Sequence, residues 1–273
     1  GDRVPDFSYC GYGQSVVSIP EVAAKVFVPY MEGDATETIQ KALDYVGSLP
    51  MDGKGFRGAV QLAPGVFEIH GKLLMRRSGV VLRGSGSQLD TGTVLRAMGP
   101  MKDELIRIFG YQSVQVGDTL RVDNQYVPVN ATVIPLKSVT GLKVGDVIQV
   151  VRPSTAEWLS VLGTDKLGNE QEYNFSKWAP GDYDMVWERT IKEISNHSIT
   201  VDVPLTMSLD PQYGGGYVIP VVHKGRIENV GVENLCCDSD YDLNNPKDED
   251  HRWQAVTLNH VKNAWVRRME AHH

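Results

Sequence analysis

Cysteine is scarce in this chain: Cys10, Cys236 and Cys237 are the only three in 273 residues. Three thiols, two of them adjacent, do not make a disulfide framework. Neighbours in a strand point to opposite faces, so Cys236 and Cys237 read as one core thiol and one incidental one. A zinc site would need more ligands, at a tighter spacing, than Cys10 can add. Also missing is any apolar run long enough to span a membrane. Basic residues are outnumbered, with 27 Lys and Arg against 34 Asp and Glu and a net charge of −7. That balance argues against a general nucleic-acid binder but leaves room for one local basic groove. No charged, apolar leader precedes Gly1, as expected of a chain whose export signal was removed or never existed. Gly84-Ser85-Gly86 lacks the lysine and following helix of a phosphate loop.

What the chain does have is a helix followed by short strands punctuated with glycine. Asp34 is placed to cap a helix by accepting from the amide of Glu37. Ile39, Ala42, Leu43 and Val46 then fall on one apolar stripe at helical spacing. Gly58–Ile69, Gly71–Met75 and Ser78–Gly86 follow as a series of strands of three to five residues, separated by glycine and with no room for hairpins. Val94–Ala97 and Leu105–Ile108 continue the series. Strands that short, without hairpins, argue for a coil of parallel strands. The helix would close the coil's open end, where bare strand edges invite aggregation.

The order of helix, GAVQLAPGVFEI and SGVVLRGSG resembles the N-terminal part of the pectate-lyase-like right-handed parallel β-helix superfamily. The resemblance implies an all-β chain: a right-handed parallel β-helix with an N-terminal helical cap. It also implies carbohydrate, because members include polysaccharide lyases, glycoside hydrolases, esterases and phage tailspikes, and it implies export to the periplasm or cell surface.

Three regions follow from the texture of the sequence. Residues 1–113 hold an N-terminal segment packed along the outside, the cap helix and the first rungs. Residues 114–221 carry longer alternating strands and read as an antiparallel β insertion, with Asn196-His197 as one hairpin tip. Residues 222–273 resume the coil. There, Ile227–Leu235 aligns with Val261–Met269 at an offset of 34 residues (261 minus 227), with Asn229 and Asn263 in the same place. Asparagine suits a bend between strands because it tolerates left-handed backbone. The surplus length is a loop from Asp238 to Arg252, a natural seat for function. The rungs are expected to continue in a longer protein, with part of the active site beyond His273.

The densest polar cluster runs from Asp238 to His273. In an extended strand Asp238, Asp240 and Asp242 share one face, at a spacing that suits calcium; lyases of the superfamily use calcium to hold a uronate. β-Elimination needs a base and a cation beside the substrate carboxylate. His251, His272 or an arginine would supply the base, and Arg252, Arg267 or calcium the cation. Hydrolysis would instead use carboxylates across a groove, from Asp238, Asp240, Asp250 and Glu270. At the 34-residue offset Glu233 stacks on Arg267, and Asp238 on His272. Trp158, Trp187, Arg189, Arg268 and His273 are candidates to bind substrate, since rings stack on sugars and arginine forks onto carboxylates. Elimination of an acidic polysaccharide is the first expectation, hydrolysis the second, and a non-catalytic, adhesive β-helix the third.

Overall fold

A computed structural model describes residues 1–166 and 177–272 of the chain. Strands dominate, and the chain divides into two compact units. One comprises Gly11–Ser113 with Lys224–His273, the other Gly1–Cys10 with Val114–His223. In chain order the first strands are β1 (Ala24–Val28), β2 (Gly58–Leu62), β3 (Gly65–Ile69), β4 (Leu73–Met75), β5 (Val80–Arg83), β6 (Thr93–Ala97) and β7 (Glu104–Phe109), with helix α1 (Thr36–Ser48) after β1. Next come β8 (Val114–Val116), β9 (Leu120–Arg121), β10 (Val133–Pro135), β11 (Val147–Arg152), β12 (Met185–Ile194), β13 (Ser198–Val201) and β14 (Tyr217–His223). Helix α2 (Ala156–Leu162) follows β11, and the last strands are β15 (Ile227–Ser239), β16 (Gln254–Asn259) and β17 (Val261–Ala271).

In the first unit every strand pairing is parallel. The chain visits three stacks in the same order on successive passes. β2, β5, the first half of β15 and the first half of β17 form one stack. β3, β6 and the second halves of β15 and β17 form the next. β4, β7 and β16 form the third.

Side chains of period two then superpose from pass to pass. Inward ladders run Val60–Leu82–Val232, Phe67–Leu95–Cys237 and Leu73–Ile106–Val256. The apolar residues among them form one core. The stripe of α1 meets that core: Ile39, Ala42, Leu43 and Val46 are buried beside β1, β2, β4 and β5. Each fully buried Leu, Ile or Phe of this kind contributes about 1.5–3 kcal/mol.

Two local expectations change. Asp34 does not cap α1 through Glu37: the helix begins after Ala35, and Asp34 Oδ1 accepts from the amide and hydroxyl of Thr36 and the amide of His70. The aspartate therefore ties the helix entry to the end of β3. Neither member of the Cys236-Cys237 pair is incidental to packing, because both are buried. Burial pushes the Cys236 thiol up to about 11 and the Cys237 thiol up to about 12.

The second unit is antiparallel, in the order β10–β13–β12–β11–β14–β8, with β9 also on β14. Asn196-His197 is the tip of the β12–β13 hairpin, where Ile194 faces Ile199. Its own core gathers Ile148, Val150, Trp187, Ile191, Ile199 and Val218. Sheet directions in the chain are thus mixed, parallel in one unit and antiparallel in the other.

Candidate functional site on the outer face of the parallel unit

The outer face of the parallel unit carries rows of superposed polar side chains, because every second residue of each strand points outward. Bends separate the rows. Asn229 and Asn263 hold left-handed backbone (φ 58° and 50°), and 34 residues apart so do Asn234 and Arg268 (φ 55° and 51°). Arg268, a candidate substrate ligand, is exposed, and its backbone serves the bend that asparagine serves one pass earlier.

Ahead of the second bend lies the row Gln61–Arg83–Glu233–Arg267. Glu233 has no exposed surface. Arg83 Nε donates to its Oε1 at 2.6 Å; Arg267 Nε (2.6 Å) and the Trp265 indole (3.0 Å) donate to its Oε2. Burial raises the proton affinity of this carboxyl, but the hydrogen bonds from Arg267, Arg83 and Trp265 and the charge of Arg83 outweigh it. Glu233 is held below the ordinary carboxylate range. The N-terminal segment packs beside this row: Tyr12 and Ile19 pack on Val22, Phe56, Ala59, Val81 and Trp265, and Glu21 reaches Arg267 at 3.0 Å. Glu233 does stack on Arg267 as the offset requires, and the outcome is an ion-pair ladder that holds strands together. Arg267 is therefore spent on the fold, contrary to its expected part in neutralising a substrate.

Beyond the bend lies a second row, Glu68–Arg96–Asp238, contributed by β3, β6 and β15. Arg96 Nε donates to Asp238 Oδ2 at 2.9 Å, and the arginine side chain stays 43 % exposed. Glu68 is 44 % exposed and meets His70 Nε2 at 3.5 Å. On β17, Glu270 pairs in register with Cys236, and the His272 amide donates to the Cys237 carbonyl. Ser87 Oγ donates to Glu270 Oε1 at 3.0 Å, and His272 Nε2 lies 3.5 Å from Oε2. The register thus sets Glu270 beside Cys236 and His272 beside Cys237, on the pass next to Asp238. Glu68, Arg96 and Ser87 were not foreseen. The sequence signal for Glu68 and Arg96 is a charged residue at the same outward place in consecutive short strands, Glu68 in VFEI, Arg83 in VVLR and Arg96 in VLRA; Ser87 carries none. His70 also lines a cleft of about 520 Å³ against α1, with Asp34, Gln40, Lys72 and Arg76.

Other candidates lie elsewhere. Arg252 is 3 % exposed. Its guanidinium ion-pairs with Asp103 and donates to the Gly71 carbonyl at 2.6 Å, while its amide donates to Ser239 Oγ. Rather than meeting substrate, it pins the Asp238–Arg252 loop to the ends of other strands. His251 Nδ1 lies 3.0 Å from the Arg252 carbonyl, edge-on to Tyr241. Asp250 pairs with Lys102 at 3.1 Å.

Asp238, Asp240 and Asp242 do not fit a calcium site. Asp238 is engaged by Arg96, Asp240 is exposed, and Asp242 Oδ1 accepts from the Asn244 amide. Among the described residues no group of three or more His, Cys, Asp or Glu side chains is arranged to hold a metal ion.

In the antiparallel unit Trp187 is 8 % exposed, with its indole donating to Thr206, so it is core rather than platform. Arg189 donates to the carbonyls of Val203, Glu188 and Pro204, so each of its three nitrogens is tied to backbone. Trp158 is half-buried under the Arg152 guanidinium. His273 lies outside the described residues. No helix among the described residues is long and apolar enough to cross a membrane.

No family model and no curated protein matches the chain. Among solved structures it is similar to the Pseudomonas phage phi297 tailspike gp61, with a TM-score of 0.42 and 13% identity over 85% of this chain and 30% of that one. It is similar to the Gp54 tailspike of Acinetobacter baumannii bacteriophage AP22 in complex with A. baumannii capsular saccharide (0.42; 10%; 88% and 32%). A third likeness is to the tailspike protein gp49 from Pseudomonas phage LKA1 (0.35; 14%; 73% and 28%). The chain spans about a third or less of the length of each. At such scores the likeness gives no residue of this chain a role.

Proposed function

We propose that the parallel unit is a right-handed β-helix interrupted by an insertion at 114–221, and that it belongs to an exported protein that cleaves a polysaccharide at the Glu68–Arg96–Asp238 row. The reaction the geometry favours is glycoside hydrolysis by paired carboxylates. The observation that carries the reading is the exposure of this row's outer members: Glu68 and Arg96 are 44% and 43% exposed and Asp238 12%, whereas Glu233, the carboxylate of the other row, has no exposed surface. Glu68 and Asp238 stand two strands apart, roughly 10 Å by the usual strand spacing. Inverting hydrolysis needs about 6.5–9.5 Å between carboxyl groups, to leave room for water. Asp238, held by Arg96, takes the part of base, and Glu68 or Glu270 gives its proton to the leaving oxygen. β-Elimination ranks second, because two of the cations expected to neutralise a uronate, Arg252 and Arg267, are already consumed by the fold.

The test is incubation with uronic-acid and neutral polysaccharides, reading new reducing ends and ultraviolet absorbance together, with and without chelator. Reducing ends without absorbance, lost in Asp238→Asn, support hydrolysis. Rising absorbance means an unsaturated uronate and overturns it in favour of elimination, with chelator sensitivity restoring calcium. Binding with neither signal leaves an adhesive β-helix.

A further inference from the structure

Arg152 ends β11 in the antiparallel unit, and the alternation of that strand turns its side chain to the same face as the buried Ile148 and Val150. It is 4 % exposed. A charge so placed needs a partner, since an uncompensated buried ion is among the costliest features a fold can keep. Ser154, two residues on, shows what a satisfied polar group looks like here. Its hydroxyl donates to Asp184 Oδ1 and accepts from the amides of Gly181 and Tyr183. Arg152 has nothing comparable. Nη1 is buried without a hydrogen-bond partner, and the guanidinium lies over the ring of Trp158, 4.4 Å from its centroid. The acidic groups that act on it through space are Asp210 and Tyr213, and Asp210 is occupied in capping the Pro211–Tyr213 turn through the Gln212 amide. That turn ends in Gly214 and Gly215, both in left-handed backbone, and Gly214 abuts Thr155 and Pro153. One face of the guanidinium is thus held by a ring, and the acidic group that acts on it most strongly through space, Asp210, opens the adjacent Pro211–Tyr213 turn.

We infer that Arg152, seated on Trp158 in the antiparallel unit, is the receptor for a carboxylate-bearing ligand. A planar carboxylate takes two parallel N–H bonds from a guanidinium, and the stack on Trp158 fixes the plane in which it is offered. The carboxylate of a small acid and that of an acidic sugar share this chemistry.

The test measures the thermal midpoint and calorimetric binding of the full chain with sodium acetate, galacturonate, galactose or phosphate, at matched ionic strength. Wild type should be stabilised by galacturonate and unmoved by galactose. An equal response to acetate assigns the site to any carboxylate, and no response to acetate assigns it to the acidic sugar; both uphold the inference. Arg152→Met should melt higher than wild type without ligand, because it removes an unpaired buried charge at similar volume. It should also bind the carboxylate at least about tenfold more weakly, since a charge-assisted pair is lost. Arg152→Lys, which keeps the charge without the fork, should fall between the two. No carboxylate-dependent shift in wild type, a shift with phosphate alone, or an equal shift in Arg152→Met would overturn the inference.

Discussion

Arg83, Glu233 and Arg267 stand one above another on the outer face of the parallel unit, and a bend further on so do Glu68, Arg96 and Asp238. Both rows arise from the same rule, outward residues superposed across parallel strands, and both alternate in charge. They differ in what lies over them. The first row is flanked by the Trp265 indole, itself packed against Tyr12 and Ile19, and its central carboxylate has no solvent contact. The second carries a 2.9 Å Arg96–Asp238 pair, with 43% of the arginine side chain and 12% of the aspartate exposed. In low dielectric an ion ladder holds strands together and breaks expensively; in water the same pair is worth at most about 1 kcal/mol. A cover, rather than composition, separates a structural charge row from one that can meet a ligand.

Removing Glu233 should break the first row with the largest effect on stability. Glu233→Ala leaves Arg83 and Arg267 facing each other with no anion between them, at a cost of about 3–5 kcal/mol, read by urea denaturation. Acid should do the same gradually. Because the folded state holds this carboxyl below its ordinary range, its contribution is fully present above the unfolded carboxylate pKa and disappears as pH falls through the folded value. Wild type should therefore lose more stability between neutral pH and pH values below the ordinary glutamate range than Glu233→Gln does. Parallel pH profiles for the two proteins would count against the ladder.

The second row should answer the opposite way. Asp238→Asn should change stability by less than about 1 kcal/mol, because the Arg96 end of the pair reaches solvent and screens it. It should lower glycan hydrolysis by about 10²–10⁴-fold, the usual worth of a general acid or base. Loss of several kcal/mol with turnover intact would make this row a second structural ladder.

How much of this was legible beforehand depends on how far apart the partners are. The register Ile227–Val261 through Cys237–Ala271 could be read directly, because two adjacent passes of similar length repeat their apolar places, and Asn229 and Asn263 mark the same bend. The bend at Arg268 was opaque, since arginine gives no sign of left-handed backbone. The partner of Asp238 was opaque too: Arg96 lies 142 residues away, across the whole antiparallel unit. Arg252 misled for the same reason. Beside His251 and Asp250 it reads as an active-site cation, and only the closeness of Asp103, Gly71 and Ser239 shows that it is a buried strut. Local sequence reports strands and bends; the cover over a row comes from segments far off in the chain.

The cover itself can be tested in two smaller steps. Gly231 lies beneath the Trp265 indole, where a methyl group would overlap the ring. Gly231→Ala should cost about 1–3 kcal/mol by overpacking, and it should loosen Trp265 from Glu233, visible as a red-shifted tryptophan emission. Glu21 is the outermost member of the first row, 70% exposed, reaching Arg267 at 3.0 Å and Arg83 at 3.7 Å. Exposed pairs of this kind are worth roughly 0–1 kcal/mol and weaken with salt. Glu21→Ala should therefore shift the denaturation midpoint barely, and less in high salt, leaving the buried ladder intact beneath it. A loss as large as that of Glu233→Ala would mean that the ladder draws its strength from its exposed rim, and the contrast between a covered row and an open one would lose its physical basis.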